Sequence, residues 1–337
     1  MEVRIVFPSW SCLVKLPRRD VLVFSAMNAE MARTRPGALR RGDVVAVVAP
    51  AAAVERQYLE RGVAILTALG FRVRVSKRAL ERDRILAGSD RVRAGELQGF
   101  FADPEVRAIF VARGGYGCGR LLPLLDFNMI ARNPKIFVGF SDASFILGAL
   151  VKLGGLVCFH GPMVAMDFAR GLSEASLGHL RALLSGELDG FELEARETLH
   201  SGSAEGELVG GCLSVLVATI GTPYQLDFRG RILFLEDTGE KAYRIDRMLV
   251  QMRQAGILGQ VKGIVFGGLR PVDDSEQERN LIRDFVAEAT AGLDGPVLFG
   301  IEAGHGTENF TIPLGVHARL DGARRRLVVA QAAVSPR

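Results

Sequence analysis

The segment KIFVGFSDASFILGAL at 135–150 places a serine where chemistry is possible. An apolar strand ends at Gly139, the polar pair Ser141-Asp142 follows, and an apolar helix begins near Ala143. Open α/β sheets hold their ligands at that carboxyl edge of a strand. The N–H groups at the start of the helix would face negative charge developing beside the serine. This is the arrangement of a nucleophile elbow, although the flanking residues lack the G-x-S-x-G form. Ser-Asp at a helix start is also an ordinary N-cap, and the segment by itself leaves both roles open.

A serine nucleophile needs a base, and the chain has only five histidines. His179 falls in a helical stretch and His200 in a polar connection, where both are expected to be exposed. His317 lies in the alternating stretch 316–320 and should face solvent. His160 ends a strand ahead of Gly161-Pro162, near the serine. His305 stands between Gly304 and Gly306 directly after an apolar strand, and glycine on both sides frees the backbone to project an imidazole. His305 is therefore the leading candidate and His160 the second. A carboxylate to orient the base could come from Glu236 or Asp237, at the end of the apolar run 231–235. A desolvated carboxylate needs a partner, so an ion pair with Lys241, Arg244 or Arg247 is the structural alternative.

The run ARGGYGCGR at 112–120 follows another strand and exposes backbone for close approach to a ligand. Gly115-x-Gly117-x-Gly119 is not the dinucleotide G-x-G-x-x-G, and no acidic residue ends the next strand to hold a ribose. The loop fits an oxyanion or substrate-binding role better, with Arg113, Gly114 and Tyr116 as its substrate-facing residues. Arg113 is the candidate to hold the free carboxylate of a peptide substrate.

The elements around these residues alternate. Strands are expected over 43–50, 71–77, 106–113, 135–139 and 156–160, with a helix over 55–69 whose apolar stripe is Leu59, Val63 and Leu66. That order predicts βαβ units and a parallel sheet. A helix carrying Leu177, Leu180 and Leu184 and then a polar stretch, 194–203, form a connection. The second half is richer in strands, over 231–235, 261–266, 296–301 and 327–331, with a helix over 276–288 presenting Leu281, Phe285 and Val286. The expected divisions are an extension over 1–35, expected to be disordered, an α/β domain over 36–165 carrying the nucleophile, a connecting segment over 166–203, and a C-terminal domain over 204–337.

In order along the chain, GDVVAVVAP, LAGSD, ARGGYGCGRLLPLLD, VGFSDAS, HGPM, GELVGG, GTPY, LFLEDTGEKAYRIDRML and GHGTENFTIPLG resemble the LD-carboxypeptidase (muramoyl-tetrapeptide carboxypeptidase) family of serine peptidases. The resemblance covers about residues 40–320. It implies a flavodoxin-like or amidotransferase-like N-terminal domain and a smaller β-rich C-terminal domain. It also implies a catalytic triad of Ser141, Glu236 and His305, and backbone N–H groups of Asp142 and Gly115 are the expected oxyanion hole. The implied reaction releases terminal D-alanine from a cytoplasmic murein tetrapeptide during wall recycling, with no metal or organic cofactor, and the implied assembly is a homodimer. A microcin-C immunity-type peptidase acting on a peptidyl- or aminoacyl-nucleotide is the alternative within the family. A non-catalytic peptide- or nucleotide-binding module is the alternative outside it. Two positions depart from the pattern: Ala51, where a serine is frequent, and Cys212, where asparagine commonly follows the paired glycines.

Composition agrees with an ordinary globular protein. In 337 residues, 24% charged and 48% hydrophobic side chains exclude a disordered, collagen-like or coiled-coil chain. Forty-two Lys+Arg against 38 Asp+Glu leave a net charge of +4, and the one dense basic cluster, Arg324-Arg325-Arg326, has no interleaved aromatics. It is expected to be a solvated turn, so no nucleic-acid partner is expected. Cys12, Cys118, Cys158 and Cys212 form no CxxC pair, which fits a reducing compartment. No apolar run is long enough to span a membrane. The first 35 residues lack an uninterrupted secretory core with a small-residue cleavage site, and Met27 or Met31 is a plausible natural start. A cytoplasmic protein is expected.

Overall fold

The structure, a computed structural model, describes residues 33–306 and 308–337. The expected extension, with Cys12, lies outside the described residues up to position 32. Arg33 and Thr34, expected to belong to it, are part of the fold: Arg33 Nε donates to Glu207 Oε1 at 2.7 Å and Thr34 bridges Leu156.

Short β-branched runs build the first sheet. Its strands are β1 (Val44–Val48), β2 (Arg72–Val75), β3 (Val106–Val111), β4 (Ile136–Gly139) and β5 (Cys158–His160). They are interleaved with α1 (Arg56–Ala68), α2 (Asp90–Ala102), α3 (Phe127–Arg132) and α4 (Ser144–Lys152). The spatial order β2-β1-β3-β4-β5, all parallel, is the flavodoxin-like order, with its switch point between β1 and β3. Central strands β1 and β4 are buried along their whole length, as a parallel sheet covered on both faces requires. At one edge, β2 alternates arginine with valine and keeps its charges at the rim. A short antiparallel strand from near the C-terminus, Ile312–Leu314, closes the other edge against β5, and an edge is where Pro313 can be accommodated.

The second sheet has eight strands and begins inside the expected connection. After α5 (Glu174–Ser185) come β6 (Phe191–Glu194), β7 (Glu197–His200), β8 (Ser203–Cys212), α6 (Leu213–Thr219), β9 (Ile232–Glu240) and α7 (Ala242–Gln254). Then follow β10 (Gly263–Pro271), α8 (Glu276–Thr290), β11 (Val297–Phe299), β12 (Ile312–Leu314), β13 (His317–Asp321) and β14 (Arg326–Val329). The order is β6-β14-β13-β8-β9-β10-β11-β7, so the two edge strands are consecutive in sequence. Only Ala195 and Arg196 separate them, a reach of roughly 10 Å, so the sheet must curl until its edges nearly meet. The polar stretch 194–203 therefore contributes sheet edges rather than a plain connector. Helix α8 buries Ile282, Val286 and Ala289, whereas Leu281, expected on its apolar face, is exposed.

Helix α4 joins the two sheets. Its first residue, Ser144, accepts a hydrogen bond from Cys212 N at 3.0 Å at the end of β8. Its last, Lys152, donates to the carbonyls of Pro223 and Gln225 at 2.7 and 2.6 Å. Among the described residues no helix is long and apolar enough to cross a membrane. Two of the three clustered arginines, Arg325 and Arg326, pair with Glu194.

Candidate active site

Ser141 begins a single 3-10 turn, Ser141–Ala143, between β4 and α4. Its side chain does not cap the helix. Its φ of 59° is left-handed, a conformation that costs a serine free energy and is typical of a nucleophile on a sharp strand-to-helix turn. Gly114 lies against it: a Cβ there would sit 2.9 Å from Ser141 Cβ and 3.0 Å from its Oγ. The N-cap alternative is thus replaced by a projected hydroxyl on a strained turn.

The neighbouring Asp142 is buried and turns inward. Its Oδ2 accepts from Cys118 N at 2.7 Å, which fastens the 112–120 loop beside the serine. Burial holds this carboxyl above its usual range even though the Cys118 hydrogen bond pulls the other way. The loop is tied from its other side by Arg93, whose guanidinium is buried and donates to the carbonyls of Pro50, Gly88 and Gly117. Arg113 Nη1 donates to Ala53 O at 3.2 Å, and Gly114 O accepts from Ala52 N at 3.3 Å. The loops after β1 and β3 are therefore held together at the switch point, with Gly115 and half-exposed Tyr116 at the tip. Ala51 is fully buried beneath them.

Glu236 ends the apolar run of β9 and is fully buried. None of the expected cations reaches it: Arg244 pairs with Glu240, and Arg247 lies over the Tyr243 ring. Two imidazoles take their place. Glu236 Oε2 accepts from His305 Nδ1 at 2.6 Å and from the His305 backbone N–H at 3.1 Å, while Oε1 faces His160 Nε2 at 3.3 Å. A Cβ on Gly304, whose φ is +87°, would overlap the Glu236 carboxylate, so only glycine admits this approach. The loop is held by Asn309, whose Oδ1 accepts from Gly304 N at 3.0 Å and whose own N–H donates to Ser176 Oγ on α5 at 3.1 Å.

Electrostatics follow from this burial. Desolvation opposes the Glu236 charge, but the His305 charge and the hydrogen bond from His160 outweigh it, and the carboxyl lies well below its usual range. Burial opposes the His305 cation, yet the charge and hydrogen bond of Glu236 prevail and raise its pKa above the ordinary value. Asp237 and Asp167 add weaker negative charge acting on the same imidazole. Asp237 caps α6 by accepting from Ser214 N at 2.7 Å, and its own carboxyl is pushed up to about 6 by burial and by Glu236. Asp167 lies on a five-residue π-helical turn, Val164–Phe168, and accepts from Met163 N.

The structure thus brings Glu236 and His305 into direct contact. Phe140, next to Ser141, lays its ring 4.6 Å from the His305 ring, centroid to centroid, so the serine turn adjoins the pair without a direct hydrogen bond from Ser141 to His305. Bonds to a catalytic base are commonly loose before substrate enters. His317 is exposed, as expected. His179 and His200 are only half-buried instead of exposed. His179 Nε2 donates to Thr311 O at 3.0 Å and its ring packs between Phe191 and Phe310, and His200 pairs with Val297 in the sheet. His160, the second candidate from the sequence, meets Glu236, whereas the sequence did not single out Arg93, Asp167 or Asn309. Arg93 sits three residues beyond LAGSD and Asn309 within GHGTENF, but nothing local marks either as a long-range tether. Among the described residues no group of three or more His, Cys, Asp or Glu side chains is arranged to hold a metal ion.

The chain is similar to known proteins over most of its length. Residues 45–161 match the LD-carboxypeptidase N-terminal domain and residues 205–320 the LD-carboxypeptidase C-terminal domain. The chain is 37% identical over 302 residues to a probable murein peptide carboxypeptidase of Bacillus subtilis (strain 168), covering 88% of this chain and 94% of that one. A muramoyltetrapeptide carboxypeptidase from Oxalobacter formigenes superposes with a TM-score of 0.76 at 31% identity, over 85% of this chain and 97% of the other. An MccF-like protein from Bacillus anthracis str. Ames superposes with a TM-score of 0.80 at 28% identity, over 88% and 99%. With both of its halves matched in order by the two domain models of one family, this chain is a hydrolase that belongs to the LD-carboxypeptidase family of serine peptidases.

Proposed function

We propose that the protein hydrolyses the L,D-peptide bond that carries the terminal D-alanine of a murein tetrapeptide. Ser141 is the nucleophile, His305 the general base and Glu236 the residue that orients and charge-balances the imidazole. The observation that carries this reading is the buried 2.6 Å contact between Glu236 and His305 Nδ1 beside the strained Ser141 turn. Because Nδ1 is occupied by the carboxylate, Nε2 is the nitrogen left to take the serine proton. Ser141 Oγ then attacks the carbonyl carbon, and its proton passes to His305 Nε2. The carbon–nitrogen bond breaks as His305 returns that proton to the departing D-alanine amine. Water, activated by the same imidazole, hydrolyses the acyl-serine. The backbone N–H groups of Asp142 and Gly115 are the proposed oxyanion donors.

The substrate assignment draws support from the names of the Bacillus and Oxalobacter relatives. Arg113, with Gly114 and Tyr116, is the proposed contact for the free carboxylate, the feature an exopeptidase must recognise. The proposed setting is cytoplasmic recycling of wall peptides by a homodimer. Incubation with tetrapeptides ending in L,D- or D,D-linked alanine tests the reading: alanine release from the L,D peptide alone is expected, and release from neither peptide overturns it.

The likeness to an MccF-like protein supports a second reading, cleavage of an aminoacyl- or peptidyl-nucleotide. Turnover of such a conjugate exceeding that of the L,D tetrapeptide would favour it.

A further inference from the structure

We propose that His160 is a positioning residue that holds the Glu236 carboxylate of the second sheet in place relative to Ser141 on the first. The proposal rests on the reading of Ser141, Glu236 and His305 as the catalytic triad.

His160 and Ser141 share a scaffold. In the parallel pairing of β4 with β5, His160 is the register partner of Gly139, two residues before Ser141. On its other side it pairs with Ile312 of β12. Its ring is therefore fixed to the strand end that delivers the serine, whereas Glu236 and His305 come from β9 and the loop after β11. The contact between His160 Nε2 and Glu236 Oε1 at 3.3 Å crosses from one sheet to the other.

The contact is specific in direction. Each carboxylate oxygen has its own imidazole, Oε2 with His305 and Oε1 with His160, so rotating the carboxylate towards one breaks the other. His160 Nδ1 is buried with no hydrogen-bond partner. A bare ring nitrogen in such a place costs less than a bare N–H. The proton therefore belongs on Nε2, and His160 is the donor to Glu236. Phe140 and Phe234 pack edge-on against the ring with centroids at 5.6 and 5.0 Å, which fixes its plane. Phe140 also packs against His305, so one aromatic side chain beside Ser141 touches both imidazoles. A fully buried imidazole with one nitrogen unpaired is a poor choice for merely filling space, because it buries a bare polar atom that a phenyl ring would not bring. What only the imidazole supplies is the N–H.

His160→Phe keeps the ring and removes the donor, while His160→Gln returns an amide N–H close to the position of Nε2. The measurements are kcat and KM on an L,D-tetrapeptide, together with the rate at which a fluorophosphonate labels Ser141. For the phenylalanine variant, kcat and labelling are expected to fall by about a hundredfold with KM within about twofold, as for a misplaced catalytic group. For the glutamine variant both rates are expected to recover to within about tenfold of the parent. A folded phenylalanine variant with parental kcat and labelling overturns the proposal, as does a glutamine variant no faster than phenylalanine. If the phenylalanine variant does not fold, His160→Asn, whose amide stops short of Oε1, takes its place against glutamine with the same outcomes. Failure of the triad reading is separately visible, because Ser141→Ala would then keep its turnover.

Discussion

One oxygen of Glu236 accepts two hydrogen bonds from the same residue, His305: the ring nitrogen at 2.6 Å and the backbone N–H at 3.1 Å. The carboxylate therefore fixes both the imidazole and the loop that carries it. Mutating either residue should disturb orientation before it disturbs folding.

Ser141→Ala is expected to abolish turnover while leaving the thermal midpoint unchanged or slightly higher. The hydroxyl makes no hydrogen bond that stabilises the fold, and the backbone strain at φ 59° remains in either case. Alanine release followed alongside a melting curve checks this, and release at the parental rate would remove Ser141 from the mechanism.

Glu236→Gln keeps the shape but lacks the charge, and its amide can present N–H to an imidazole that needs an acceptor. The expected loss is about 10⁴-fold in kcat, the size seen when an orienting carboxylate is amidated in other triads. Steady-state kinetics on the purified variant decide, and near-parental turnover would reassign Glu236 to a structural role.

The pH dependence has two opposed limbs. In the proposed mechanism His305 acts in its neutral form, and its pKa is raised above the ordinary 6.5, so kcat/KM should rise with pH with a midpoint above that value. Stability runs differently. The Glu236 pKa is depressed below its ordinary 4.5, so its contribution is present above 4.5 and lost as pH falls through the folded-state value. The His305 contribution is complete below 6.5 and lost as pH rises through its raised value. The pair stabilises the fold most between those ordinary values, on the acid side of the activity optimum. Melting curves of the parent and Glu236→Gln across this range should differ most there, and a difference that keeps growing above the activity midpoint would contradict the assignment.

Gly304→Ala places a methyl group against the Glu236 carboxylate on a backbone at φ +87°. A loss of roughly 1–3 kcal/mol in stability is expected from the conformation alone, with a larger fractional loss in kcat because the carboxylate must shift. Urea unfolding and kinetics on the same preparation test both, and unchanged values would show that the loop relaxes freely.

Much of this was legible along the chain. The apolar runs ending at Gly139 and Leu235 marked the strands that deliver Ser141 and Glu236, because a buried parallel strand must be continuously apolar and its polar successor falls at the carboxyl edge. Gly304 and Gly306 marked His305, and Gly304 takes the left-handed φ of +87° that favours glycine. The sequence alone determined the alternation of strands and helices in the first half and the residues that end β4 and β9, but not the strands within 191–212. Partnership was decided by tertiary structure. Whether Glu236 met an arginine or an imidazole, whether Ser141 capped a helix or projected a hydroxyl, and whether His160 was idle or bonded depended on which strand ends face one another across two sheets. The curl that joins β6 to β7 and the return of β12 to the first sheet have the same origin. Periodicity within a segment reports which face is buried, whereas a hydrogen bond between segments 69 or 76 residues apart depends on packing that no local pattern encodes.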